Sequence, residues 1–175
     1  MTKPPTMQQG HSNDFQTPTW ALDPLYPFID KERVIWECAC GRGNLSNALH
    51  SNGFRVWDTD ILTGTDFLTC EHNSKIELHS VSYIITNPPY TLKDEFLQHC
   101  YYFGLPFALL MPLTALEGIK RQNLYREYGL ELILLPRRVN FETPSGEGAG
   151  AWFASAWFTN GFNIGKAMTF WKDEE

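Results

Sequence analysis

No apolar run in this 175-residue chain approaches the ~20 residues that a membrane span needs. Met1–Asp14 lacks the hydrophobic core of a secretion signal. Both absences lead us to expect a soluble protein of the cytoplasm. Cys38, Cys40, Cys70 and Cys100 have no paired C-x-x-C spacing, which argues against a zinc framework or a disulfide scaffold and for buried or incidental free thiols. His72 and His79 have no acid or second histidine at i+4, so they read as surface residues and no metal site is expected. Gly41 and Gly43 are followed by no G-K-[ST] and by no third glycine at dinucleotide spacing, which argues against a nucleoside triphosphate or nicotinamide site. Positive charge is also short: 14 Lys and Arg stand against 20 Asp and Glu, for a net charge of -6. Spread evenly, that balance gives only weak attraction to nucleic-acid phosphate. Lys120, Arg121, Arg126, Arg137 and Arg138 all fall in the later half of the chain, where they either contact phosphate or solvate helix faces.

What the chain has is core material, with 43% hydrophobic residues, and one stretch that organises the rest, S-Y-I-I-T-N-P-P-Y at Ser82–Tyr90. Tyr83, Ile84 and Ile85 read as a buried strand. Pro88 and Pro89 cannot continue it, since they lack the amide hydrogen that a ladder needs. Asn87 therefore stands at a strand's carboxyl end, the edge at which open parallel α/β sheets bind ligands. A rigid extended turn there presents the Asn87 carboxamide oxygen and the Pro88 carbonyl as two acceptors, with the Tyr90 ring as a stacking surface. The arrangement fits a planar amino group: accepting both of its hydrogens favours the pyramidal nitrogen, whose lone pair can attack an electrophile.

Asn87, Pro88, Pro89 and Tyr90 resemble the catalytic N-P-P-Y of S-adenosylmethionine-dependent amino methyltransferases, above all the DNA adenine N6 enzymes. Four further segments resemble that family in the expected order. Phe15-Gln16-Thr17-Pro18 resembles the F-x-T-P that precedes the first strand and touches the methionine end of the cofactor. Val34–Glu37 reads as a strand ending in an acid. The sequence E-C-A-C-G-R-G from Glu37 to Gly43 resembles the family's E-P-A-C-G-x-G, with Cys38 where proline is common; Glu37, Cys38, Ala39, Gly41 and Gly43 become cofactor contacts by that resemblance. Gly41 and Gly43 also allow a close backbone approach by a ligand. Arg55–Asp60 reads as a second strand with two acids, Asp58 and Asp60, able to accept ribose hydroxyls. The family's acid-then-aliphatic pattern favours Asp60 followed by Ile61. Asp66-Phe67-Leu68 resembles the D-F-L that flanks the cofactor adenine. Beyond these, Pro136–Phe141 resembles the segment that offers an aromatic face to a flipped base. By that resemblance Arg137, Arg138 and Phe141 join Tyr90 as substrate contacts, Phe141 being otherwise a core residue beside two exposed arginines.

The remaining spacing predicts a short helix over Trp20–Ile29 interrupted by Pro24 and Pro27, and helices over Leu45–Asn52, Leu92–Phe103 and Leu116–Tyr128. It predicts strands over Phe107–Met111, Leu130–Leu135 and Ala151–Phe158. Glu71–His79 reads as a polar connector, and Thr143–Gly150 as either a closing loop or a hairpin connection. The expected fold is α/β, a doubly wound, mostly parallel sheet of seven strands with a C-terminal antiparallel hairpin. Residues 1–13 are expected to be a flexible tail, and residues 14–175 a single domain without a separate target-recognition unit. The resemblance implies a small enzyme of the kind found in phages and mobile elements. It would act in a bacterial or phage-infected cell, methylating adenine in DNA with low or partner-supplied sequence specificity. Two other readings stay open: methylation of a protein glutamine, whose enzymes share N-P-P-Y, and an inactive module that binds the cofactor or docks a partner.

Overall fold

The computed structural model describes residues 16–71, 81–143, 146–147, 153–165 and 168–170. The tail over residues 1–13, Phe15, all but Glu71 of the connector, residues 144–145 and 148–152, and the terminal Lys172–Glu175 lie outside them.

A 3-10 segment, Thr19–Phe28, leads into strand β1, Val34–Glu37. Helix α1, Asn44–Ser51, and strand β2, Arg55–Asp58, follow. Two short 3-10 turns, Ile61–Thr63 and Phe67–Thr69, precede strand β3, Val81–Thr86. The turn Tyr90–Leu92 opens helix α2, Lys93–Phe103, and strand β4, Phe107–Pro112, comes next. Helix α3, Ile119–Tyr128, then leads to strand β5, Glu131–Leu134. Strands β6, Glu142–Thr143, and β7, Gly146–Glu147, pair antiparallel as a small ribbon, so the glycine-rich segment is at least partly a hairpin connection. Strands β8, Ser155–Asn160, and β9, Met168–Phe170, end the series.

The main sheet runs in the order β2-β1-β3-β4-β8-β5-β9 and is mostly parallel. The expected C-terminal hairpin is not what closes it. Strand β8 lies between β4 and β5, antiparallel to both, while β9 pairs parallel with β5 on its far side. The chain leaves β8 through a turn with positive φ at Gly161, Asn163 and Gly165. It crosses β5 instead of folding back on β8. Aromatic alternation marks β8 as a strand but carries no information about its partners.

Side chains alternate across the sheet and divide the core into two layers. Trp36, Ile84, Phe107, Leu109, Met111 and Phe158 face the layer that holds Phe96, Leu97, Cys100 and Phe103 of α2. Ile35, Ile85, Ala108, Leu110, Ile133 and Trp157 face the layer that holds Leu45, Ala48 and Leu49 of α1 and Leu22 and Leu25 of the 3-10 segment. The Trp157 Nε1–H donates to the Ala21 carbonyl, pinning that segment to β8. All four cysteines are free, and Cys38, Cys70 and Cys100 are buried.

Helix α3 starts later than its pattern predicts because Gly118, at φ 97°, breaks the chain between it and the 3-10 turn Leu113–Leu116. None of its side chains is fully buried, though Leu124 and Tyr125 pack part-buried against the core. Polar anchors add to that hold: Arg121 Nε donates to the Ala115 carbonyl at 2.8 Å, its guanidinium pairs with Asp94 on α2, and the Tyr125 hydroxyl also donates to Ala115 at 3.0 Å. Arg126 bonds Asn123 and Gln122 along its own helix. Arg121→Ala is expected to lower the unfolding free energy by about 1 to 3 kcal/mol in urea denaturation, because it strips a carbonyl and a carboxylate of a charged donor. The salt dependence of any DNA binding should be unchanged by it, which separates this structural role from phosphate contact.

Candidate active site at the carboxyl edge of β1 and β3

Strand β1 has β2 on one side and β3 on the other, so the connections leaving its neighbourhood diverge and a crevice opens beyond its carboxyl end. The β1 and β2 ladder continues past the strands, with Thr59 N donating to Glu37 O at 2.9 Å and Cys40 N to Thr59 O at 3.0 Å. The chain then turns through Gly41 and Gly43, whose φ values of 53° and 85° lie in the left-handed region. Gly43 caps α1 by its backbone and closes the turn onto Cys40 O at 2.8 Å. Cys38, in the place where proline is common, fills the core at 2% exposure and leaves the turn intact.

Asp60 ties this turn to the next one. Its Oδ2 accepts from Gly41 N and its Oδ1 from Leu62 N, each at 2.9 Å, and it is only 8% exposed. Asp58 ends β2 in solvent. The acid-then-aliphatic pattern thus singles out the buried one of the two acids, and each bonded oxygen keeps a second lone pair. Asp66 caps its own 3-10 turn, accepting from Leu68 N at 3.0 Å. Phe67 is buried among Trp36, Phe96, His99 and Phe103.

These loops and the Asn87–Tyr90 turn enclose a cavity of about 490 Å³. Of the residues read as cofactor contacts, Thr17, Glu37, Cys38, Ala39, Gly41, Asp60, Ile61, Asp66, Phe67 and Asn87 all line it. Pro18 and Gly43 flank it without lining it, and Phe15 is outside the described residues. Gln16, Arg42, Leu62, Leu92 and Phe96 also line it, none of them singled out by sequence as a contact. Gln16 Oε1 accepts from Asn44 N at 3.4 Å, joining the N-terminal segment to the start of α1. Leu62 is 87% exposed and Ile61 66%, an apolar pair in a polar loop that was the available signal.

The turn after β3 faces two ways. Asn87 and Pro89 line the cavity, whereas Tyr90 does not. Its ring lies edge-on to Phe141 at 6.0 Å and to Phe153 at 5.6 Å between centroids, in the core layer that also holds Trp157. Pro88 is buried and is not among the residues that line the cavity. Phe141 is 8% exposed, as its core reading expects, and packs against Tyr90. Arg137 lies 4.4 Å above the Trp20 ring, a cation–π pair, and Arg138 is exposed. A second hollow of about 650 Å³ beside α2, lined by Glu71, Glu95, His99 and Tyr102 among others, contains none of the residues read as site residues. No cluster of metal-ligating side chains occurs among the described residues, and no described helix is long and apolar enough to cross a membrane.

No family model and no curated protein matches the chain. Its fold is similar to that of a modification subunit of a restriction enzyme assigned to type I, from Vibrio vulnificus YJ016. The TM-score is 0.58 and the sequence identity 14%, over 87% of this chain and 45% of that one. This chain spans less than half the length of that protein, and the likeness is one of fold.

Glu37 gives the cavity its electrostatic character. It is fully buried, and desolvation pushes its carboxyl up to about 8, with Asp60 and Asp58 adding to the shift. The Ala39 amide donates to Oε1 at 3.2 Å and favours the charged form, as does the neighbouring Thr86 hydroxyl. Yet neither Oε2 nor Thr86 Oγ1 has a hydrogen bond of good geometry, and Thr17 Oγ1 is likewise buried without one. Because the folded-state value lies above the ordinary 4.5, the neutral acid stabilises the fold fully below pH 4.5. That stabilisation is lost as pH rises through about 8. Glu37→Gln should abolish the loss. In denaturation, the ligand-free wild type is expected to lose up to about 1.4 kcal/mol of stability per pH unit between these values relative to the variant. Parallel pH profiles would show that Glu37 ionises normally.

Proposed function

We propose that this chain transfers a methyl group from S-adenosylmethionine to the N6 amino group of adenine in DNA. The observation that carries the reading is the convergence of the glycine turn, Asp60 and Asn87 on one cavity at the carboxyl edge of the sheet. The fold shared with a restriction-modification subunit supports DNA as the substrate.

The cavity fits the cofactor chemically. Glu37 Oε2 and Thr17 Oγ1 are buried polar atoms in want of a partner, suited to the ammonium end of an amino acid. Asp60 has lone pairs left for ribose hydroxyls, and Ile61, Leu62, Leu92 and Phe96 offer an apolar wall for a purine. When bound, the cofactor supplies an electrophilic methyl group on sulfur. The residues of the chain do the rest: the Asn87 oxygen and the Pro88 carbonyl accept the two amino hydrogens, fix the amino nitrogen, and favour its pyramidal form. A target base reaches them only outside the duplex stack. Sequence specificity in this reading is low or comes from a partner. A second reading, methylation of a glutamine side chain in a protein, is favoured by the net charge of -6 and by the commitment of Arg121 and Arg137 to internal partners.

Labelled S-adenosylmethionine offered with DNA or with whole-cell protein decides between the two. In the DNA arm, Asn87→Ala should lower turnover about a hundredfold or more with little change in cofactor affinity by calorimetry, the loss of one preorganised acceptor. Full turnover in that variant would sink the mechanism. If Arg137 and Arg138 contact phosphate, replacing both by Ala should flatten the salt dependence of DNA binding by about two counterions, again without touching the cofactor. An unchanged slope makes them surface charges, with Arg137 a cover for Trp20.

A further inference from the structure

On sequence grounds Tyr90 acts through its ring, and its hydroxyl should be dispensable. The structure gives the hydroxyl a setting of its own. Tyr90 Oη is buried and without a hydrogen bond of good geometry, and so is Ser155 Oγ, which is the polar group that acts on the phenol. Ser155 is 5% exposed. It opens β8, and because β8 runs antiparallel its first residue arrives at the same sheet edge as the Asn87–Tyr90 turn, opposite Pro112 at the end of β4. Its backbone is fixed there by the ladder and by Leu113 N, which donates to the adjoining Ala154 carbonyl at 2.9 Å.

We propose that Ser155 is a positioning residue for Tyr90, its hydroxyl pairing with the phenol to fix the ring and, through it, the turn that places Asn87 at the cavity. The proposal rests on the reading above and adds a residue to it. The argument is directional. Phe141 and Phe153 hold the ring by apolar edge contacts, which limit where it lies but tolerate tilting about its bonds. A hydrogen bond at the far end of the side chain, to a short side chain on a fixed strand, defines the tilt. Neither hydroxyl has another hydrogen-bond partner among the described residues.

The test is a double-mutant cycle with Tyr90→Phe, Ser155→Ala and the pair combined, read in two ways. In methyl transfer to adenine-containing DNA, each single variant should lower turnover about threefold to tenfold, the range of one lost hydrogen bond. The double variant should be no slower than the worse single one, Ser155→Thr should retain most of the activity, and cofactor affinity should not move. Strict additivity, or wild-type turnover in Tyr90→Phe, overturns the proposal. The same four proteins compared by urea denaturation should show coupling between the two changes whatever the activity, and zero coupling also overturns it. A wild type that binds cofactor but methylates neither DNA nor protein defeats the proposed function. In that case coupling in denaturation still upholds the hydroxyl pair, and its absence defeats that too.

Discussion

Everything at the carboxyl edge of this sheet depends on where the Asp60 carboxylate spends its oxygens. One takes the amide of Gly41 and the other the amide of Leu62, so a single side chain fixes the loop after β1 against the loop after β2. Beside that link the glycine turn has its own short bond and the Thr59 ladder. A glycine turn gains freedom of approach at the expense of order, since glycine loses the most entropy on folding. An almost fully buried carboxylate bonded to two backbone donors is the kind of restraint that offsets this, with charge-assisted bonds stronger than neutral ones. Any ligand of the cavity meets a surface already set.

The segments that sequence reading placed correctly are those in which local pattern and burial agree. Val34–Glu37 and Phe107–Pro112 are strands because apolar residues run without interruption to a polar residue or a proline. Helix α2 buries Phe96, Leu97, Cys100 and Phe103, the positions that its spacing marks as one face. Asn87 is legible at the edge because two prolines end the strand before it. Other features lie beyond local pattern. The donors to Asp60 are backbone amides, which every residue except proline has, so no residue type announces them. Ser155 lies far along the chain from Tyr90, and serine in an aromatic strand carries no signal. Tyr90 turning away from Asn87 is a matter of the 3-10 turn that follows Pro89. The placement of β9 depends on pairing across the sheet, which alternation within one strand does not encode.

Charge tells a similar story. The cations of the later half look equivalent in the sequence, yet Arg121 is an internal brace of α3, Arg126 bonds within its helix, Arg137 covers an indole and Arg138 is exposed. The acids divide the same way: Asp60 is a restraint, the Glu37 carboxyl is pushed up by burial, and Asp58 is solvated. Identical residue types take different roles because desolvation and backbone partners, not formal charge, set their energetics.

The position of β8 also governs how the molecule can assemble. Strands β4 and β5 follow one another in the chain but do not bond to each other; each is joined to β8, which arrives after them. During synthesis the early half can collapse around β1, β3 and β4, yet β4 keeps an unpaired edge until Ser155–Asn160 has emerged and slotted in. Such closure over a long stretch of chain is slow, and an apolar edge left open in the meantime is a template for pairing with another molecule. The strand that joins β4 to β5 also brings Ser155 to the edge that holds the Asn87–Tyr90 turn and docks Trp157 on Ala21, so its insertion ties that edge and the N-terminal segment together.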